Sequence, residues 1–270
     1  MDLSAYLRRI DYDGPLRVDF ETLRGVQRAH ARAIPYENFD VQLRRPLTTD
    51  PQAAFDKIVG QRRGGWCYEQ NGLLGLALAA IGFAVTRLAG NGASPASHLV
   101  LRVDLMGEAF VCDVGFADGP FEPYRLVEGP FDQNGFPFVV EFLPDGGFRL
   151  VNHPFGMTPG FTARGPDESA MAETCRWLQT DPTSPFVQNT VACARGGDGV
   201  ILSMVGRVLR EIRPGGVEKT LIATAGDYVA TLKDRFRLDF PQAAELWPQI
   251  CRRHEDYERR RAARLAAEGG

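Results

Sequence analysis

The sequence has little histidine, only four residues, and it has no C-x-x-C pair, no long apolar run, no basic excess and no low-complexity linker. Each absence excludes something. Lys and Arg number 31 against 34 Asp and Glu, a formal charge of −3, so the basic footprint of a non-specific nucleic-acid binder is missing. The longest weakly polar run, Gly72 to Val85, is too short to span a bilayer and contains three glycines, so no membrane partner is expected. Met1 to Ile10 lacks the basic-then-apolar layout of a secretory signal. The five cysteines (67, 112, 175, 193 and 251) are odd in number and lie 45, 63, 18 and 58 apart, which suggests neither a disulfide framework nor a metal site. A reducing, cytoplasmic compartment fits, with five thiols left for chemistry.

What is present is an ordinary globular composition. Over 270 residues, 44% are hydrophobic and 24% charged, which excludes disorder, collagen and coiled coil. The first eighty-odd residues read as helical. Phe20 to Ala33 has helical spacing, Asp50-Pro51 caps a helix running through Val59, and a third helix covers about Trp66 to Ala80. From Ala84 to about Asn152 the pattern turns to short strands: His98 to Val103, Ala109 to Val114, Phe136 to Phe142 and Gly147 to Val151. Hairpin turns fit at Met106-Gly107 and Gly146-Gly147, which suggests a small barrel or sandwich. Further on, 167–178, 225–235 and 241–264 read as helices, and 188–194 and 200–205 as extended. The arginine-rich tail (252–264) is interleaved with acids and reads as a solvated helix face. The whole reads as one compact unit.

Cys67 is the thiol to weigh first. In Arg63-Gly-Gly-Trp-Cys67 a double glycine runs into a helix, and a thiol in a first helical turn meets unpaired N–H groups that favour thiolate. An ordinary thiol titrates at about 8.5, so this placement matters at neutral pH. A buried structural cysteine is the bland alternative. A nucleophile also needs a base. His30 and His254 read as surface residues on helices, and His153 as a loop residue before Pro154. His98 opens a strand. If 98–105 and 108–114 pair through a two- or four-residue turn, paired positions sum to 213. His98 and Asp113 then become diagonal neighbours on one face, within reach of a hydrogen bond, and Cys112 points away. A three-residue turn would reverse that parity. Cys67, His98 and Asp113 together would form a nucleophile, base and orienting carboxylate for acyl transfer or hydrolysis.

RGGWCYEQN (63–71), HLVLRVDL (98–105) and FVCDVGF (110–116), with IPYENFDV (34–41) and SPFVQNT (184–190), resemble the arylamine N-acetyltransferase family, in order and over nearly the whole chain. The resemblance implies an α+β fold with a papain-like cysteine-triad core. Its parts would be an N-terminal helical bundle (1–83), a middle β-barrel carrying the His and Asp (84–194) and a C-terminal α/β lid (195–270). It implies ping-pong transfer from acetyl-coenzyme A, a cosubstrate and not a tightly bound cofactor, through an acetyl-cysteine. The acceptors would be small aromatic amines, arylhydrazines or N-hydroxyarylamines, which keep a free lone pair at neutral pH. Cys67, His98 and Asp113 match the family's triad, and Phe116 a position lining the acceptor pocket. Arg63 and Glu37 match a buried ion pair that supports the catalytic loop, and the oxyanion would meet backbone N–H groups, that of Cys67 among them. Two features stand apart. The step from Cys67 to His98 is shorter than usual, and no glycine-rich phosphate loop is present for the coenzyme. Rival readings are an amide synthase of macrolactam biosynthesis, a cysteine hydrolase or transglutaminase-like enzyme, and a non-catalytic protein that kept the fold.

Overall fold

The computed structural model describes residues 1–92 and 94–268. Helix α1 (Leu3–Arg9) is capped by the Asp2 side chain, which accepts from the Ala5 N–H. Asp19 caps α2 (Phe20–Ala33) in the same way, on the bounds that the spacing predicts. β1 (Tyr36–Glu37) and α3 (Phe39–Gln42) follow. α4 (Pro51–Phe55) opens on an Asp50 cap with proline at its first position. The expected continuation through Val59 is instead a wider π-helical turn, Asp56–Gly60. α5 (Cys67–Ile81) then runs buried through the middle of the molecule and stops at Gly82, whose φ of 115° is left-handed and suits glycine.

His30 corrects one sequence expectation. It is fully buried, not on the surface, because α1 folds across α2 and sets the Tyr6 hydroxyl 2.8 Å from His30 Nδ1. Burial pulls this imidazole down to about 3, with nearby Arg9 adding to the effect, so it is neutral.

The middle of the chain supplies β2 (Ala84–Asn91), β3 (His98–Leu105), β4 (Glu108–Cys112), β5 (Tyr124–Arg125), β6 (Gly129–Gln133), β7 (Phe136–Phe142), β8 (Phe148–Val151) and β9 (Gly160–Ala163). They form one antiparallel sheet in the order β5-β4-β3-β2-β9-β8-β7-β6. The sheet curls until its two edges meet. Tyr124 of β5 stacks on Phe131 of β6 at 4.9 Å, and the Gln133 side chain bonds both the N–H and the carbonyl of Glu122. Phe136, Phe138, Phe148 and Phe161 fill the hollow, giving a half-barrel that matches the barrel reading in coarse outline.

The remaining elements are α6 (Glu168–Thr180), α7 (Pro185–Gln188), β10 (Val191–Arg195), β11 (Ile201–Val205), β12 (Val208–Arg213), β13 (Gly216–Leu221), α8 (Ala225–Phe236) and α9 (Trp247–Glu268). Gln188, expected in an extended run, ends α7 because the Ser184 cap and Pro185 start a short helix there. The expected helix from Pro241 begins as a 3₁₀ segment to Leu246 before α9. The hairpin of β12 and β13 escapes sequence reading because its apolar positions are sparse and β13 is largely exposed. The second sheet runs β1-β10-β11-β12-β13, so two N-terminal residues pair with a strand more than 150 positions later: Tyr36 with Cys193 and Glu37 with Ala192. Phe39 follows into the C-terminal core, stacking on Phe240 at 5.8 Å. No described helix is long and apolar enough to cross a membrane.

Candidate active site

The β3–β4 hairpin has the parity that the argument requires. Leu101 pairs with Cys112 and Leu105 with Glu108, a constant sum of 213, through a two-residue turn. Met106 and Gly107 both take positive φ, 52° and 82°, the geometry of a type I′ turn. The ladder stops at Cys112, two residues short of the expected Val114, because side chains capture the next backbone donors. Asn71 Oδ1 accepts from the Val114 N–H at 2.8 Å, and Asp113 Oδ1 accepts from the Gly115 and Phe116 N–H groups at 2.9 and 2.8 Å. The chain turns there and Asp113 stays on the His98 side.

His98 Nε2 lies 2.7 Å from Asp113 Oδ2. A carboxylate only accepts, so Nε2 carries the proton and Nδ1 is left for other work. The Cys67 thiol is also near enough to this imidazole to help raise its pKa. Burial by itself would lower the His98 pKa, but Asp113, with a smaller contribution from Cys67, raises it to about 10. All three residues are buried. Cys67 is the first residue of α5, its Sγ 3.6 Å from the Ser97 carbonyl. The structure therefore brings Cys67, His98 and Asp113 together from a helix, a strand and a strand end.

Asn71 is a further member that sequence reading misses. Its Nδ2 donates to Asp113 Oδ1 at 2.7 Å and to the Leu99 carbonyl at 2.6 Å. One helical turn beyond Cys67, it holds the carboxylate against the helix that carries the thiol. No sequence signal singles it out, because Gln70 beside it is a second amide in the same helical turn. Gly115 is the other omission. A methyl there would sit 2.6 Å from the Cys67 Cα, so only glycine lets the turn lie against the start of α5. Phe116 is half-buried, with its ring 5.8 Å from His98 and 5.2 Å from Phe161, which itself lies 4.9 Å from His98.

Beneath the first turn of α5 lies a buried ionic cluster. Arg63 donates to Glu37 Oε1 from Nη2 at 2.7 Å and from Nε at 3.1 Å, and reaches Asp40 at 3.2 Å. Lys57 adds contacts at 2.8 Å to Asp40, 2.9 Å to Glu69 and 3.8 Å to Glu37. The pair expected between Arg63 and Glu37 is thus part of a buried group in which Arg63 and Lys57 meet three carboxylates, with the more exposed Arg45 reaching Asp40 at 3.5 Å from the edge. Glu69 Oε2 also accepts the Trp66 N–H at 3.2 Å, tying the cluster to the residue before Cys67. The double glycine serves this packing: a Cβ on Gly64 would lie 2.3 Å from the Pro35 carbonyl and 2.7 Å from Glu37.

The other thiols are differently placed. All five cysteines are free. Cys112 faces the helical core on the far side of the hairpin, and burial pushes its thiol far up. Burial also raises Cys175 and Cys193 to about 12, keeping both protonated at neutral pH. His153 lies in a loop as expected, but buried, with Nε2 2.9 Å from the Asp118 carbonyl.

Comparison with known proteins follows the same outline. A family model described as N-acetyltransferase matches residues 19–245. The arylamine N-acetyltransferase of Mycobacterium tuberculosis is 32% identical over 261 residues, covering 91% of this chain and 92% of that protein. The chicken liver isozyme is 28% identical, covering 88% and 96%. Among solved structures, the Mycobacterium marinum enzyme in complex with CoA superposes with a TM-score of 0.81 at 33% identity, covering 88% of this chain and 93% of that one. The Mycobacterium tuberculosis structure gives 0.83 at 31%, covering 94% and 99%. With this identity and coverage, the chain belongs to the arylamine N-acetyltransferase family.

Proposed function

We propose that this protein transfers an acetyl group from acetyl-coenzyme A to the nitrogen of an arylamine, arylhydrazine or N-hydroxyarylamine, through an acetyl-cysteine on Cys67. The observation that carries the reading is the 2.7 Å contact from His98 to Asp113 beside a thiol at the first residue of a buried helix. Asp113 binds Nε2–H, so Nδ1 already holds the thiol's proton at neutral pH, and the carboxylate stabilises the resulting thiolate–imidazolium pair. The thiolate attacks the thioester carbonyl, and the developing oxyanion faces backbone N–H groups at the start of α5. The carbonyl–sulfur bond to the coenzyme breaks, and the departing thiolate takes the proton from His98. The amine then attacks the acetyl-cysteine and gives a proton to His98, and Cys67 leaves as thiolate. Phe116 and Phe161 flank His98 and suit a flat aromatic acceptor. Arg63, Glu37, Lys57, Asp40 and Glu69 hold the segment before Cys67 in place. In this reading the bundle (1–83) supplies the nucleophile, the barrel (84–194) the base and its carboxylate, and the lid (195–270) covers the site. The mechanism needs Cys67 as a free thiol, which fits a cytoplasmic setting.

The test is to incubate the protein with acetyl-coenzyme A and no amine, measure the intact mass and map the adduct. One acetyl on Cys67, discharged by an arylhydrazine, is expected. No adduct, or an adduct on another cysteine, refutes the reading. Loss of the adduct to water as fast as to amine would identify a hydrolase instead. Cys67→Ser should nearly abolish turnover, and Asp113→Asn should lower kcat by roughly 10³- to 10⁴-fold, as when a triad imidazole loses its tautomer partner.

A further inference from the structure

The segment that carries His98 is gripped by the helix that carries Cys67. Three side chains near the start of α5 reach backbone carbonyls on either side of the imidazole. The Tyr68 hydroxyl donates to the Ala96 carbonyl at 2.5 Å, Cys67 Sγ lies 3.6 Å from the Ser97 carbonyl, and Asn71 Nδ2 donates to the Leu99 carbonyl at 2.6 Å. Asn71 also holds Asp113. Tyr68 takes no part in the chemistry above, and its contact is the hydroxyl tie on the near side of the base.

Both ends of that tie are constrained. Tyr68 is fully buried. Its ring meets the Trp66 ring edge-on at 5.4 Å, and Trp66 meets Phe186 in the same way at 5.6 Å, so aromatic packing aims the hydroxyl. Burial pushes the phenol pKa far up, so the group stays protonated and donates. At the accepting end, Ala96 has a φ of 53°, a left-handed conformation unfavourable for a residue with a Cβ. Its N–H donates to Asn91 Oδ1 at 2.7 Å. Ser97 Oγ accepts from the Gly92 and Ser94 N–H groups at 3.0 and 3.1 Å and donates to the Ser94 carbonyl at 2.6 Å. The turn between β2 and β3 is thus closed on itself by Asn91 and Ser97 and hung on α5 by Tyr68.

We infer that Tyr68 is a positioning residue: its hydroxyl holds the Ala96 carbonyl and so fixes the separation of the His98 imidazole from the Cys67 thiol. The inference rests on the reading of those two groups as base and nucleophile. Without the bond the turn drifts from α5, the thiol–imidazole contact lengthens, and the thiol returns toward its ordinary value of about 8.5. Misplacing a reacting group by about 1 Å can slow catalysis roughly 10²-fold.

Tyr68→Phe tests this, because it removes the hydroxyl and keeps the ring. Two readouts on the full chain are needed. The first is the rate of iodoacetamide alkylation at Cys67 against pH, mapped by peptide mass because the other cysteines are also free. The second is single-turnover acetylation by acetyl-coenzyme A. In Tyr68→Phe the alkylation midpoint should rise by at least about 0.5 pH unit toward the ordinary thiol value. The acetylation rate constant should fall at least about tenfold, while calorimetry gives coenzyme A the same affinity within about twofold. Thr174→Val is the control. Thr174 Oγ1 donates to the Pro95 carbonyl at 3.0 Å, so this variant loosens the same turn but leaves its tie to α5, and both readouts should stay at wild-type values. An unmoved midpoint in Tyr68→Phe overturns the inference, whether or not acetylation slows. So does an equal shift in Thr174→Val, which would make the hydroxyl one of several general supports of the turn. A wild-type protein whose Cys67 alkylates with a low midpoint but never takes an acetyl would refute the functional reading, and the comparison of midpoints would still decide the role of Tyr68.

Discussion

At the scale of single residues, two opposed effects meet at His98. Burial disfavours the imidazolium, while Asp113 at 2.7 Å and the Cys67 thiol favour it, and the balance raises the pKa to about 10. An unfolded histidine titrates near about 6.5. The folded state therefore holds this proton more tightly than the unfolded state. The stabilisation is complete below about pH 6.5 and is lost as pH rises toward about 10. Thermal melts from pH 6 to 10 should show Tm falling across that window, with a clearly shallower fall in Asp113→Asn. Equal slopes in the two proteins would mean that the pair does not store its energy in this way. The other histidines show why neighbours decide the outcome. His30 is as buried as His98 but has a tyrosine hydroxyl where His98 has a carboxylate, and its pKa moves down.

At the scale of elements, α5 is the piece on which the site depends, and its start is held electrostatically. Lys57 is nine-tenths buried between Asp40, Glu69 and Glu37, which raise its pKa against the opposing effect of burial. Removing one partner from a buried ionic group leaves uncompensated charge, at a cost of about 3–5 kcal/mol. Lys57→Ala would leave three carboxylates facing Arg63, with the more exposed Arg45 reaching only Asp40, at 3.5 Å. Urea unfolding should show a loss of that size, with smaller losses in acid as the carboxylates protonate. A change below about 1 kcal/mol would show that the cluster is not what fixes the loop. The hairpin is the second critical element. Its two-residue turn alone sets which face His98 and Asp113 share, and one inserted residue would place Asp113 with Cys112's present neighbours.

At the scale of the whole molecule, the N-terminal segment is woven into the C-terminal sheet through β1 and Phe39. α9 seals that region with its first turns only. Ile250 is buried in the C-terminal core, and Arg253 donates to Gln42 Oε1 at 2.7 Å and to the Val187 carbonyl at 2.8 Å. From Tyr257 to Ala267 the helix is exposed, and the pairs Arg259–Asp256 and Arg261–Glu258 are local. Ile250→Ala should therefore cost about 2–5 kcal/mol. Truncation after Asp256 should change stability by less than about 0.5 kcal/mol, since surface pairs contribute little. Denaturant midpoints would distinguish the two. A large loss on truncation would assign the arginine-rich tail a structural role.

The sequence by itself determined the bounds of α2, the Asp50 cap of α4 and the start of α5 within a residue, and, given the two-residue turn, the β3–β4 register and hence the meeting of His98 with Asp113. All of these rest on interactions between residues near in sequence, where periodicity, capping chemistry and turn length leave few options. Tertiary structure decided the rest. His30 is buried because α1 crosses it, and Asn71 clamps Asp113 because α5 passes behind the hairpin. Lys57 joins the Arg63–Glu37 pair because a π-turn swings it inward. The arginines at 28, 32, 195 and 237 converge because β1 draws the N-terminal helices onto β10. Apart from the Lys57 group, these contacts link positions from 24 (Tyr6 and His30) to about two hundred residues apart, and no local pattern records them.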